Sequence, residues 1–195
     1  MRDEVREAAL RLLEYRDRSV SELRQRLARK SYPEEEIEEV IADLEECGLL
    51  DDRRFAELLA QSAVSSGKGR RFIAHKLKEK DVDSLVAQQV LEQIFEEEDE
   101  RVLCLKKALS VCGLSGYFEV DRDGGLMRLE ETGGFLPELP EPLGYFEPKD
   151  EATAADRRKR RDYCEKAKAR LTRRLVSAGF SPGMAYEAIR KIEQL

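Results

Sequence analysis

The sequence predicts an all-α protein in which three tandem three-helix repeats form an elongated, curved array, with a small β-hairpin inserted in the third repeat. Three observations predict this fold. One pattern of six apolar positions occurs three times along the chain, helix-capping residues flank the occurrences, and an amphipathic segment precedes each of them. Because such a unit rarely buries its apolar face alone, we expect the copies to stack on one another.

The apolar pattern has the spacing of two consecutive helices. Its first two positions lie one helical turn apart, its third is a joint, and its last three have the i, i+1, i+4 spacing of one buried helix face. The three copies are Leu23, Leu27, Tyr32, Val40, Ile41 and Leu44; Ile73, Leu77, Val82, Val90, Leu91 and Ile94; and Leu171, Leu175, Phe180, Ala188, Ile189 and Ile192.

Capping residues mark the helix ends of the first copy. Ser19 with Glu22 has the spacing of a capping box, and Pro33 fits the first position of the second helix. The acidic run at 34–36 suits the positive end of that helix, and Gly48 would terminate it.

The third copy has an equivalent joint. Gly179 fits a C-cap, Ser181 fits an N-cap, and Pro182 opens the last helix. In the second copy Asp83 is predicted to cap the helix that follows the joint.

Each copy is preceded by a further predicted helix, which makes the repeat a three-helix unit. These helices cover residues 4–16, a segment capped by Asp51 or Asp52, and residues 98–111. The second of them is predicted to bury a stripe of Phe55, Leu58, Leu59 and Ser62. The predicted repeats are therefore 1–50, 51–97 and 98–195.

Residues 113–150 interrupt the third repeat. They hold seven of the twelve glycines and four of the six prolines. Within them, YFEV and LMRLE flank an Asp-Gly-Gly turn and predict a β-hairpin, whereas ELPEPLGYFEP at 138–148 predicts an extended strap. Two interpretations stay open, a tolerated surface insertion or an acidic hairpin that braces the repeats or adds a contact. The second is favoured by its aromatic residues, Tyr117, Phe118, Phe135, Tyr145 and Phe146.

A long basic helix follows the insertion. Thr153 with Asp156 fits a capping box, and the helix is predicted to reach Ala178. Its predicted buried stripe is Cys164, Ala167, Leu171, Leu175 and Ala178.

Composition indicates a cytoplasmic protein that is large enough to fold without a structural metal, and the chain is expected to be a monomer. The chain has 195 residues, of which 39% are charged, and neither a signal-peptide segment nor a transmembrane-length apolar run. Its four cysteines form no CxxC pair, so they are predicted to be reduced and packed as small apolar residues.

Candidate catalytic groups are few, and no enzymatic activity is expected. His75 is the sole histidine, and rows of carboxylates such as EEEIEE are typical of solvated helix faces. The GKG sequence around Lys68 lacks the remaining residues of a phosphate loop. An enzyme hidden in the insertion is the least favoured alternative.

Positive charge recurs in the first helix of each two-helix pair, although the net charge is −6. A basic face of this kind suits a polyanion or an acidic protein groove, and the alternative is that charge only keeps the helices soluble. No aromatic stripe indicates a dedicated single-strand reader. The candidate partner-binding or DNA-binding residues are Arg24, Arg26, Arg29, Lys30, Lys68, Arg70, Arg71, Lys76, Arg157, Arg158, Lys159, Arg160, Arg161, Arg170, Arg173 and Arg174.

Three short motifs stand out along the chain. They are a Ser-x-x-Glu-Leu sequence at Ser19, the segment 48–52 with Phe55 and Ala56 after it, and Gly67-Lys68-Gly69 followed by a basic helix. With these motifs the sequence resembles the RecX family of bacterial recombinase regulators, closely over residues 8–95 and more loosely over residues 156–192.

The resemblance implies a regulator that is not an enzyme and uses no cofactor. Members of this family bind in the groove of the RecA nucleoprotein filament and limit its growth, its strand exchange and its coprotease role. The resemblance implies that each repeat contacts the filament, so that the contacts add to one another. The alternative function is a helical protein that grips single- or double-stranded DNA through its basic helices. The insertion at 113–150 departs from the family pattern.

Overall fold

The computed structural model describes residues 2–97, 99–129 and 154–194. In these residues the helices are Arg2–Tyr15 (α1), Val20–Ala28 (α2), Glu34–Glu46 (α3), Asp52–Ser65 (α4), Arg70–Glu79 (α5), Ser84–Glu97 (α6), Glu100–Val111 (α7), Ala154–Ser177 (α8) and Pro182–Ile192 (α9). Two strands, Phe118–Val120 (β1) and Leu126–Arg128 (β2), lie between α7 and α8. The prediction of an all-α protein with tandem three-helix repeats and a small hairpin is confirmed.

The repeated apolar positions form the interior. All of them are buried except Tyr32, which is half-buried against the first core. Backbone contacts divide the chain into two compact units, one of residues 1–63 and 73–94 and one of residues 64–72 and 95–195. The repeat boundaries at 50/51 and 97/98 stay a prediction.

The core of the first unit lies among α1, α2 and α3. Helix α1 contributes Val5, Ala8 and Ala9, which pack with the apolar residues of the first copy. Arg18 and Ser19 are the polar residues buried beside this core.

Helix α4 corrects one detail of the sequence analysis. Leu58 is 45% exposed and Ser62 is also exposed, so the predicted stripe is wrong at these two positions. The buried residues of α4 are Phe55, Ala56 and Ala60, because the face that carries the small alanines packs inward instead.

The core of the second unit lies among α7, α8 and α9, and the β-hairpin contributes to it. Strands β1 and β2 are antiparallel, with Phe118 opposite Arg128 and Val120 opposite Leu126. Phe118 and Val120 are buried in the same core as Leu171 and Phe180. The predicted strap, the capping box at Thr153 and the aromatic residues at 135, 145 and 146 lie outside the described residues.

The capping residues largely take their predicted places. Ser19 Oγ accepts a hydrogen bond of 3.1 Å from Glu22 N, and Ser181 Oγ accepts one of 3.2 Å from Met184 N. Asp51 Oδ1 caps α4 by accepting from Arg53 N at 2.8 Å. The prediction that Pro33 occupies the first position of α3 is wrong. Its ψ of 137° is extended, so Pro33 is the N-cap residue and α3 begins at Glu34.

Each two-helix joint turns through a residue with positive φ. These residues are Ser31, Asp81 and Gly179, with φ of 62°, 52° and 100°. Each directly precedes the central apolar residue of its copy. Only the third is a glycine, the residue that adopts this conformation without strain.

Candidate interaction surface

One basic position is common to all three copies. Arg26, Lys76 and Arg174 each lie three residues after the first apolar position of their copy, on α2, α5 and α8 respectively. Arg26 and Arg174 are exposed and Lys76 is half-exposed. The repeat therefore places a cation at one equivalent site three times.

In the first unit, Arg24 is committed to a contact within the chain. Its Nε and Nη2 donate to the two carboxylate oxygens of Glu38 on α3, at 2.5 and 2.8 Å. These hydrogen bonds hold the pKa of Glu38 below its ordinary value. A bidentate pair of this kind fixes the guanidinium, so Arg24 braces α2 against α3.

The other candidate residues of the first unit are more available than Arg24 for contact with a partner. Arg26, Arg29 and Lys30 are exposed and take part in no ion pair within the part of the chain that the structure describes. Lys76 forms an ion pair of 2.6 Å with Glu79 on its own helix, an exposed contact that contributes little stability.

In the second unit, two of the candidate cations lie over aromatic rings. Lys68 Nζ lies 4.7 Å from the centre of the Phe72 ring, and the Arg70 guanidinium lies 5.6 Å from that of Phe95. Both distances are within the range of a cation–π contact, which orients the charge and leaves its outer side to solvent.

The candidates on α8 divide into two groups. Arg170, Arg173 and Arg174 are exposed, and Arg173 Nε donates to Ala169 O at 3.1 Å. The second group belongs to the first turns of α8, and its side chains are not among those that the structure describes. These residues are Arg157, Arg158, Lys159, Arg160 and Arg161.

Sequence reasoning missed a charge cluster around Glu22. Its carboxylate accepts from Arg16, from Arg18 at 2.5 Å and from Lys80 at 3.1 Å. Burial by itself would raise the pKa of Glu22, and the hydrogen bonds from Lys80 and Arg16 outweigh this effect and lower it. The i, i+4 spacing of Arg18 and Glu22 signalled one pair, whereas Lys80 is distant in sequence.

A second missed feature is a helix-to-joint contact that occurs twice. In the first unit, Ser19 Oγ donates to Lys80 O at 2.8 Å and Ser21 Oγ donates to Asp81 Oδ2 at 2.8 Å. These bonds connect the start of α2 to the joint between α5 and α6.

The second unit repeats the contact at equivalent positions. Gly69 N donates to Ala178 O at 2.8 Å and Arg71 N donates to Gly179 O at 3.3 Å, so the start of α5 meets the joint between α8 and α9. A Cβ on Gly69 would lie 2.8 Å from the backbone of Gly179, which explains the glycine. The contact is thus a property of the repeat.

Groups suited to catalysis or metal binding are scarce in residues 2–97, 99–129 and 154–194. No three His, Cys, Asp or Glu side chains there could hold a metal ion, and no helix there is both long and apolar enough to cross a bilayer. His75 is exposed, with Nε2 3.2 Å from Glu79 Oε1. Burial raises the pKa of Cys104 to about 12 and that of Cys112 to about 11, which keeps both thiols protonated and unreactive.

Comparison with known proteins identifies the family. The first three-helix domain of RecX matches residues 6–44, and the second matches residues 51–91. A regulatory protein RecX of Amycolatopsis mediterranei is 34% identical over 151 residues, which make up 75% of this chain and 82% of the relative. The chain belongs to the RecX family of regulatory proteins.

Other RecX relatives match over shorter stretches. The RecX of Corynebacterium efficiens is 40% identical over 111 residues, or 55% of this chain, and that of Halorhodospira halophila is 43% identical over 88 residues, or 45% of this chain. The chain spans about half the length of these two curated relatives, 53% and 55% respectively.

Solved RecX structures share the fold. The crystal structure of RecX from Lactobacillus salivarius superimposes with a TM-score of 0.65 at 17% identity, covering 100% of this chain and 97% of that one. A second RecX crystal structure gives a TM-score of 0.58 at 20% identity, covering 97% and 71% of the two chains.

Proposed function

We propose that this RecX-family chain is a regulator without enzymatic activity that binds in the groove of the RecA nucleoprotein filament and inhibits its recombinase and coprotease activities. Its site would comprise the exposed basic residues of α2, α5 and α8. Membership of a family of regulatory proteins supports the regulatory role.

The observation that carries the proposal is the recurrence of a cation at Arg26, Lys76 and Arg174. A filament presents the same surface once per subunit, so a binder that carries one charge at equivalent sites can make the same contact several times. Linked contacts raise the effective concentration of each further contact, and overall affinity then exceeds that of any one site.

The candidates do not contribute equally in this proposal. Arg24 is held by Glu38, so its role is to position α2. The residues that would face the partner are Arg26, Arg29, Lys30 and Lys76 in the first unit and Arg70, Arg71, Arg170 and Arg174 in the second. The candidates at 157–161 extend the same basic helix.

The proposal is tested by the triple variant Arg26→Glu, Lys76→Glu and Arg174→Glu. Binding to RecA filaments on single-stranded DNA should weaken by at least about tenfold, equivalent to 1.4 kcal/mol, and inhibition of strand exchange should weaken in parallel. Light scattering or anisotropy with labelled chain measures binding, and a strand-exchange assay measures inhibition.

The matched control reverses three exposed arginines outside the basic helices, namely Arg11, Arg122 and Arg190. It changes the net charge equally, and we expect it to leave filament binding within about threefold of the wild type, since charges outside the contact act only through long-range steering. Equal losses in the two triple variants would contradict the proposal.

The second candidate function is direct binding of DNA through the same basic helices. The charge concentrated on α8 favours it, because phosphate contacts dominate the affinity for nucleic acid. Equal affinity for naked DNA and for the filament, with a steep dependence on salt, would select this function over filament binding.

A further inference from the structure

A groove of about 360 Å³ lies in the second unit, between the C-terminal end of α4 and the middle of α7. Among the described residues that line it, Lys106 and Lys107 are the charged ones, and none of them is a carboxylate. Its volume is at the lower end of the range of ligand sites. Neither lysine was among the candidates found from the sequence.

The side chain of Lys107 contacts the backbone that follows α4. Its Nζ donates to Ser66 O at 3.3 Å, which uses one of the three ammonium protons. The lysine stem passes over Gly67, where a Cβ would lie only 2.9 Å from Lys107 Cδ. Gly67 therefore leaves room for the stem, and its φ of 69° also favours glycine.

Among the side chains that the structure describes, neither Lys106 nor Lys107 forms an ion pair with a carboxylate. The acidic residue at the start of α7, Glu100, accepts a hydrogen bond from Arg70 N at 2.9 Å. Two ammonium groups thus face a recess that also carries the hydroxyl of Ser110 on its rim and the apolar side chains of Val64 and Leu103.

We propose that this groove binds the phosphodiester backbone of a nucleic acid. Ammonium groups and hydroxyls are donors suited to phosphate oxygens, and lysine binds phosphate as a point charge. The positive charge continues along the chain from the groove, because Lys68, Arg70 and Arg71 lie within the four residues after Gly67. Successive cations match a strand that carries one charge at every nucleotide.

This inference deepens the proposed function, since a chain that binds a nucleoprotein filament would use the groove to hold the nucleic-acid component. Its two lysines belong to α7 and so lie outside the basic site on α2, α5 and α8, which it adjoins in sequence at Arg70 and Arg71. Its test contains no RecA, so the two proposals can fail separately.

The experiment measures binding of the full chain to a fluorescein-labelled oligothymidine by anisotropy at several salt concentrations. In the double variant Lys106→Gln and Lys107→Gln, affinity at low salt should fall by about tenfold or more. The slope of log K against log salt should become shallower by about 1.4, which is 0.7 for each lost phosphate contact on a single strand. The variant Lys106→Arg and Lys107→Arg keeps both charges and should retain the wild-type slope.

The matched control, Arg122→Gln with Arg190→Gln, removes two exposed charges elsewhere in the same unit and should leave the slope unchanged. The inference is overturned if the lysine double variant behaves like this control, or if the wild-type chain does not bind the oligonucleotide. Competition by oligoglutamate as effective as that by unlabelled oligothymidine would also overturn it, by assigning the groove to an acidic peptide. Far-UV circular dichroism checks that each variant is folded.

Discussion

The hydroxyl of Ser19 donates a hydrogen bond of 2.8 Å to the backbone carbonyl of Lys80, which lies 61 residues further along the chain. The same hydroxyl accepts from Glu22 N and so caps α2. One buried side chain thereby fixes both a helix start and the joint between two other helices. In the second copy the equivalent residue is Gly69, whose backbone amide makes the bond to the joint.

Removing the hydroxyl should destabilise the chain. We expect Ser19→Ala to lower the free energy of unfolding by about 1–3 kcal/mol, because it removes a helix cap and leaves the carbonyl of Lys80 without this donor. Urea denaturation measures the change. Ser21→Ala is the matched control, since its bond to Asp81 is exposed and its loss should cost under about 1 kcal/mol. Equal effects would argue against a special role for Ser19.

Glu22 should make stability depend on pH. The pKa of Glu22 in the folded chain lies below its ordinary value of 4.5, so the ionised carboxylate stabilises the fold above that value and this contribution is lost as pH falls through the folded pKa. We expect Glu22→Gln to lower stability by about 1–2 kcal/mol at pH 7. The difference from the wild type should shrink as pH falls below 4.5 and disappear below the folded pKa of Glu22.

Denaturation at a series of pH values tests this prediction. Glu7→Gln removes an exposed carboxylate that pairs with Arg11 on the same helix, and it should change stability by less than about 0.5 kcal/mol. A constant difference between wild type and Glu22→Gln from pH 7 to pH 3 would exclude the charged form of Glu22 as the stabilising species.

Replacing Ser31 with glycine should stabilise the chain. Its φ of 62° is unfavourable for a residue with a Cβ, and its side chain is exposed. We expect Ser31→Gly to raise the free energy of unfolding by about 0.5–1 kcal/mol, after allowance for the greater freedom of glycine in the unfolded chain. Thermal or urea unfolding measures the gain.

The opposite change at the third joint should be harmful. At Gly179, φ is 100° and an added Cβ would lie 2.5 Å from Phe72, so Gly179→Ala should cost about 2–5 kcal/mol. We expect Asp81→Gly to raise the free energy of unfolding by less than Ser31→Gly does, because it also removes the carboxylate that accepts the hydrogen bond from Ser21. If Ser31→Gly is destabilising, the joint is not strained in the way we describe.

The hairpin should be necessary for the stability of the second unit. Phe118 is buried with the residues of α7, α8 and α9, and Lys191 Nζ donates to Gly124 O in the hairpin turn at 2.7 Å. We expect Phe118→Ala to lower stability by about 3–5 kcal/mol through loss of apolar burial and formation of a cavity. Met127→Ala on the exposed face, where the side chain is 52% accessible, should change it by less than about 0.5 kcal/mol. A neutral Phe118→Ala would support the alternative of a tolerated insertion.

The thiols should react with very different rates. Cys47 is exposed, whereas burial holds the pKa of Cys104 at about 12 and that of Cys112 at about 11. At pH 8 we expect an aromatic disulfide reagent to modify Cys47 in the folded chain and to reach Cys104 and Cys112 only after denaturation, since the thiolate is the nucleophile. Mass spectrometry of the peptides identifies the modified residues, and rapid labelling of Cys104 would contradict its burial.

The sequence was sufficient to predict the fold because its apolar spacing is repeated. Leu23 and Leu27, Ile73 and Leu77, and Leu171 and Leu175 are all buried, and a helix can place residues four apart only on one face. The hairpin was predictable for a similar local reason, since its Asp-Gly-Gly turn selects the conformation.

What could not be predicted depends on contacts between distant residues. No local pattern in the sequence relates Ser19 or Glu22 to Lys80. The positive φ of Ser31 and Asp81 was not predictable either, because neither residue is a glycine. The predicted stripe of α4 was wrong because apolar character alone did not show that Ala56 and Ala60 are buried while the larger Leu58 is exposed. In the candidate site, the recurrence of basic residues could be predicted from the sequence. The ion pair between Arg24 and Glu38 could not, because it joins two different helices.

Helix α8 runs unbroken from Ala154 to Ser177, through the position that corresponds to Ser19 and Gly69 in the earlier copies. At that position α2 and α5 begin and offer a hydroxyl or an amide to a following joint, whereas the amides inside α8 are already used by its own helical bonds. The third copy therefore has no helix start at this position and takes part in the contact through its joint alone. The contact has one direction along the chain, from the start of a helix in one copy to the joint of the next copy.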